Sequence, residues 1–133
     1  MSDRALVVDD SSFQRTIVSN TIEDWFDIVA TAENGKEAIE QFKKERPDVV
    51  TMDIMMPEMD GITAVKNIKE ISPETIIVMV TSVKQKQKMR EAAKAGADGY
   101  VTKPVNTKKT PRRVRRRSRL ARRESRVAAE EPC

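Results

Sequence analysis

Ala5-Leu6-Val7-Val8-Asp9-Asp10 is a short apolar run ending in two adjacent carboxylates, and the pattern returns at Val49-Val50-Thr51-Met52-Asp53. A continuous, β-branched-rich run stopped by a charge reads as a strand buried on both faces, as at the centre of a parallel sheet. Outward from these runs, apolar stretches alternate with helical patterns through the first hundred residues, which predicts βα units around such a sheet. Strands are expected at 6–8, 28–32, 49–52, 76–80 and 100–101, the first, third and fourth central and the second and fifth at or near the edges.

The intervening segments carry helix signals. Residues 12–24 place Phe13, Ile17, Val18 and Ile22 at helical spacing behind Ser11 or Ser12 as N-cap. An Asn34-Gly35 turn leads into 36–45, where Ala38, Ile39 and Phe42 form the stripe and Pro47 marks the stop. A third helix is expected over 62–70, with Ile62, Val65 and Ile68 inward, and a fourth over 84–95, with Gly96 as C-cap. The fourth is mostly polar, so it is weakly anchored and a candidate for movement.

At 133 residues, with 38% hydrophobic and 35% charged residues, the chain suits one soluble domain with one modest core. No apolar run approaches the roughly 18 residues of a membrane span, and the N-terminus lacks the layout of a signal peptide, so a cytoplasmic protein is expected. There is no histidine, and the one cysteine is Cys133. Histidine-based metal sites and catalysis are thereby excluded, and any metal must be a hard, oxygen-liking ion. The net charge of +4 hides two unlike segments. Residues 1–105 hold 14 Lys and Arg against 18 Asp and Glu, whereas 106–133 hold 11 against 3. The basic character therefore belongs to the tail and does not make the body a nucleic-acid binder.

Carboxyl ends of neighbouring parallel strands meet at one sheet edge, where open α/β sheets bind ligands. Asp9, Asp10 and Asp53 are expected to share that rim with Thr81-Ser82 and Thr102-Lys103-Pro104. Three converging carboxylates require a cation, and Mg²⁺, which takes oxygen ligands and keeps several waters, is the natural one. A carboxylate beside such an ion can attack phosphorus, with the ion and a lysine neutralising the phosphoryl oxygens. Asp53, central among the strands, is the expected nucleophile. Each element alone has a plainer reading: Asp-Asp and Thr-Ser as helix caps, Lys-Pro as a turn. Their joint occurrence in strand order argues for function.

Val7-Val8-Asp9-Asp10-Ser11, Asp53-Ile54-Met55-Met56-Pro57-Glu58-Met59-Asp60-Gly61, Thr81-Ser82 and Lys103-Pro104 together resemble the signature of the receiver domain of two-component response regulators. The likeness is greatest to stand-alone chemotaxis proteins of the CheY type, and it covers residues 1–105. It implies an α/β, flavodoxin-like, doubly wound five-stranded parallel sheet of order 2-1-3-4-5 with flanking helices. It implies Asp53 as acceptor of a phosphoryl group from a histidine kinase, Asp10 as direct Mg²⁺ ligand, Asp9 in support through water, and the Met55 carbonyl in the metal shell. By the same resemblance Thr81 moves to bond the phosphoryl group, Lys103 pairs with it, Tyr100 is the aromatic switch, and the Lys103-Pro104 bond is cis. Met55 and Val83 match positions that in the family influence how fast the acyl phosphate hydrolyses; neither side chain can hold a water by hydrogen bonds, so a phosphoryl group lasting longer than in relatives with acidic or amide side chains there is expected.

The resemblance implies a signalling switch that catalyses only its own phosphorylation and dephosphorylation, with a kinase and a downstream target protein as partners. One alternative is a receiver cut from a larger regulator with a methylesterase or DNA-binding output. Another is a Mg²⁺-dependent phosphohydrolase with an Asp nucleophile, whose second acid would stand where this chain has Met55. The Arg-rich segment 106–133 departs from the family, since the aliphatic face of a fifth helix is nearly missing. Thr110-Pro111 is a fair helix start, and a weak stripe of Val114, Ala121 and Ala128 follows. Three readings of this segment compete: a tail that binds nucleic-acid phosphates, an unusual native fifth helix, and a segment foreign to the receiver, the last favoured and the first least.

Overall fold

The computed structural model describes residues 3–105. The Arg-rich segment 106–133, and with it the expectation of an atypical fifth helix, lies outside the described residues. Strands β1 (Asp3–Val8), β2 (Phe26–Ala32), β3 (Val49–Met52), β4 (Ile76–Thr81) and β5 (Gly99–Thr102) alternate with helices α1 (Ser12–Ile22), α2 (Gly35–Glu45), α3 (Gly61–Ile71) and α4 (Lys86–Ala95). The strands form one parallel sheet of order β2-β1-β3-β4-β5, as expected.

Side-chain alternation along each strand divides the core between the two faces of the sheet. Leu6, Val8, Val50, Met52, Ile77 and Met79 pack with Ala38 and Phe42 of α2, Ala64, Val65 and Ile68 of α3 and Ala92 of α4. Ala5, Val7, Val49, Val78 and Val80 pack on the other face with Val18 and Ile22 of α1 and with Phe26. Every residue of β3 and β4 is buried, which is why both read as unbroken apolar runs.

Helix ends follow local chemistry. Ser11, Asn34 and Asp60 cap α1, α2 and α3 by accepting from the amides of Gln14, Glu37 and Thr63. Arg46, in the left-handed region, ends α2 just before Pro47, and its guanidinium lies 5.5 Å from the Phe42 ring centroid. Gly96, at φ 118°, closes α4. Lys69 ties the end of α3 to its surroundings by donating to the carbonyls of Pro73 and Thr75 and to Asp98 Oδ2 at 2.9 Å.

Three expectations are corrected. Phe13 was assigned to the apolar stripe of α1, but it is 69% exposed, and the buried face is Val18, Thr21 and Ile22. The fourth helix starts at Lys86, because Gln85 is extended, and leaves Lys84 in the preceding loop. β2 begins at Phe26, whose ring is buried, earlier than the apolar run suggested. Among the described residues no helix is long and apolar enough to cross a membrane.

Candidate functional site

Backbone pairing extends one residue beyond the strands and fixes the rim. The amide of Asp9 donates to Ala32 O at 3.0 Å, that of Asp53 to Val8 O at 3.1 Å and that of Lys103 to Thr81 O at 2.9 Å. Asp9, Asp53 and Lys103 are therefore each the first residue past a strand and are still held by the neighbouring strand. This is how a sequence of runs stopped by polar residues becomes a constellation.

Asp9, Asp10 and Asp53 each place a carboxylate oxygen within 4.8 Å of the others. Asp9 and Asp53 are buried, whereas Asp10 is exposed. The Lys103 ammonium bridges the two buried acids, at 2.7 Å from Asp9 Oδ2 and 3.1 Å from Asp53 Oδ2. Burial raises the Asp9 carboxyl above its ordinary 3.8, against the opposing hydrogen bonds from Lys103 and Ser11. Burial by itself would lower Lys103, but its hydrogen bonds to Asp9 and Asp53 outweigh that and hold it above its ordinary 10.5. The lysine is thus a firmly charged counter-ion. One ammonium against three carboxylates leaves the rim short of positive charge, and a hard donor set of this kind fits Mg²⁺.

The loop that follows Asp53 is shaped by contacts with its own backbone. The Met55 amide donates to Asp53 Oδ1 at 3.4 Å, and Gly61 N bonds Ile54 O at 3.0 Å. The Met55 side chain is 64% exposed. Glu58 lies at φ 67°, and Met59 N bonds Pro57 O at 2.7 Å around it, forming a tight, strained turn. Met59 O in turn accepts from Gly35 N at 3.1 Å.

Thr81, at the tip of β4, is fully buried, and its Oγ accepts from Val83 N at 3.3 Å. Tyr100 on β5 is half-buried and donates its hydroxyl to Val83 O at 2.7 Å. Burial, and then the charge of Asp53, raise the phenol above its ordinary 10.0, so it remains a donor. Thr81 and Tyr100 therefore hold the same residue, Val83, from its two backbone atoms. The Lys103-Pro104 bond is cis, as the resemblance implied.

The structure gathers Asp9, Asp10, Asp53 and Lys103 into direct contact or close approach, with Met55 on the adjoining loop, Thr81 at the tip of β4 and Tyr100 on β5. Sequence reasoning overlooked Arg15, whose Nη1 donates to Asp9 O at 2.7 Å. Helical side chains lean toward the N-terminus, so a long cation one turn into a helix can reach back over the loop before it; that was the available signal.

A family model described as the response regulator receiver domain matches residues 5–115. The chemotaxis protein CheY of Halobacterium salinarum is 50% identical over 104 residues, 78% of this chain and 87% of that protein. A protein-glutamate methylesterase/protein-glutamine glutaminase of Archaeoglobus fulgidus is 45% identical over 103 residues, 76% of this chain but 30% of that protein. Among solved structures, the CheX-CheY-BeF3-Mg+2 complex from Borrelia burgdorferi aligns with a TM-score of 0.81 and 33% identity, covering 84% of this chain and 86% of that one. With its strand order, its rim of acids and these matches, the chain belongs to the family of response regulator receiver domains.

Proposed function

We propose that this receiver accepts a phosphoryl group on Asp53 from the phosphohistidine of a histidine kinase and passes the signal to a target protein. In the transfer, an Asp53 carboxylate oxygen forms a bond to phosphorus while the phosphorus–nitrogen bond to the imidazole breaks. The product is a mixed anhydride on Asp53, and the released imidazole takes up a proton. The supporting observation is the Lys103 ammonium, already within hydrogen-bond distance of the acceptor carboxylate. It is placed to pair with phosphoryl oxygens as they arrive.

Mg²⁺ would be held by Asp10, Asp53 and the Met55 carbonyl, with Asp9 in support, and when bound it supplies positive charge against the phosphoryl oxygens. Thr81 retains its hydroxyl proton and would donate it to the phosphoryl group. In doing so it would abandon Val83 N, whose carbonyl holds Tyr100. The chemical event is thereby linked to the loop before α4, and the surface about α4 and Tyr100 is the one a target would read.

Incubation of the full chain with Mg²⁺ and acetyl phosphate, followed by intact mass, tests the proposal. One covalent phosphate on wild type and none on Asp53→Asn is expected; equal labelling of both would refute it. Since Met55 and Val83 offer no water-holding group, Met55→Asn with Val83→Glu should shorten the phosphoryl lifetime. An unchanged or longer lifetime contradicts that assignment. The methylesterase match supports a second reading, the receiver of a larger regulator, but the CheY match spans nearly the whole of its relative and favours a stand-alone switch.

A further inference from the structure

We propose that Arg15 is a positioning residue for the acidic centre, acting through the backbone of Asp9; the inference rests on the reading of Asp10 as a Mg²⁺ ligand. Arg15 lies one turn into α1, and its partly buried side chain folds back over the β1–α1 turn. Its guanidinium donates to Asp9 O at 2.7 Å and, among the described residues, forms no ion pair with any neighbouring carboxylate. A cation next to an acidic cluster that binds a carbonyl instead is serving geometry.

That carbonyl belongs to the peptide joining Asp9 to Asp10. Every other polar atom of Asp9 is already fixed: its amide on Ala32 O, Oδ1 by Ser11 N at 3.0 Å and Oδ2 by Lys103. Arg15 supplies the remaining restraint, on the plane of the Asp9–Asp10 peptide. It thereby sets the direction in which the exposed Asp10 carboxylate leaves the chain. Groups that orient a metal ligand are typically worth about 10- to 100-fold in metal affinity.

The alternative, a bystander cation, predicts the opposite sign. Removing a positive charge near a divalent-cation site strengthens cation binding through Coulomb's law. A positioning role predicts that removal weakens it.

Titration of the full chain with MgCl₂ by isothermal calorimetry decides between them, with metal-free thermal melting as the check on folding. Arg15→Ala should weaken Mg²⁺ about tenfold while the metal-free melt moves little, and Arg15→Lys, which keeps one donor and the charge, should recover part of the loss. In an Asp10→Asn background Arg15→Ala should cost little more, because the restraint acts through Asp10. Should Arg15→Ala not fold, Arg15→Gln allows the same comparisons. Unchanged or tighter Mg²⁺ binding in the Arg15 variant, or the same tenfold loss without Asp10, overturns the inference. A wild type that takes up no Mg²⁺ overturns the metal-site reading and this inference with it.

Discussion

Gly61 opens α3 pressed against the backbone of Asp53. A Cβ there would lie 1.9 Å from Asp53 O and 2.8 Å from its carbonyl carbon, both backbone atoms that cannot swing aside. Gly61→Ala must therefore displace the acceptor loop, at an expected cost of about 3 kcal/mol in urea unfolding and with loss of acetyl-phosphate labelling. Gly99→Ala is the matched control, since a Cβ there meets Val78 methyls at 3.5 Å or beyond, an ordinary contact. Equal effects of the two changes would show that the close approach to Asp53 is not what matters. Asp9 gives a pH prediction. Its folded-state pKa is raised, so the native protein binds this proton more tightly than the unfolded chain does. Ionising Asp9 therefore lowers stability as pH rises from 3.8 towards the raised value. In metal-free buffer Asp9→Asn should gain stability relative to wild type across that window, read from urea midpoints; a constant difference would contradict it. Asp9, Asp53 and Lys103 were legible because the first residue past a strand must sit at the sheet edge. Arg15 and the tight fit of Gly61 were not, because each depends on how one side chain or one loop folds back in three dimensions.

Among the elements, the strands were legible for a physical reason: burial on both faces requires unbroken apolar runs, and β3 and β4 have them. Helix α1 shows the limit, since periodicity alone cannot tell a core residue from an apolar one at the helix entrance, where Phe13 lies open. Helix α4 was read as lightly anchored, and it buries only Ala92, while α2 buries Gly35, Ala38 and Phe42, and α3 Gly61, Ala64, Val65 and Ile68. Its N-cap, Gln85, makes no side-chain cap, and Lys86 and Lys88 lie near the positive end of its dipole. Little apolar burial and an unfavourable N-terminus give a low local opening free energy. Native-state hydrogen exchange should find α4 amides exchanging faster than those of α2 and α3. Protection of α4 equal to that of α3 would remove the case for α4 as the element a signal moves.

Across the molecule, charge and fold are in tension. Residues 1–105 hold 18 acids against 14 Lys and Arg, and folding brings three of the acids within 4.8 Å of one another. Lys103 relieves only the two that are buried, leaving Asp10 as the exposed carboxylate of the cluster. The unfolded chain has no such cluster, so Mg²⁺ held at this rim would bind the native state preferentially and stabilise it by about 2.7 kcal/mol at a hundredfold excess over Kd. Thermal unfolding with and without Mg²⁺ should show this increment in wild type. Asp10→Asn removes the proposed ligand but also a repelling charge, so its metal-free melt should equal or exceed that of wild type while its Mg²⁺ increment shrinks. The two effects have opposite sign, which separates a metal ligand from a residue that merely supports the fold: loss of such support would lower both melts together. An increment that survives Asp10→Asn unchanged would place the stabilising ion away from this rim, and with it the origin of the charge that the proposed phosphoryl transfer to Asp53 requires.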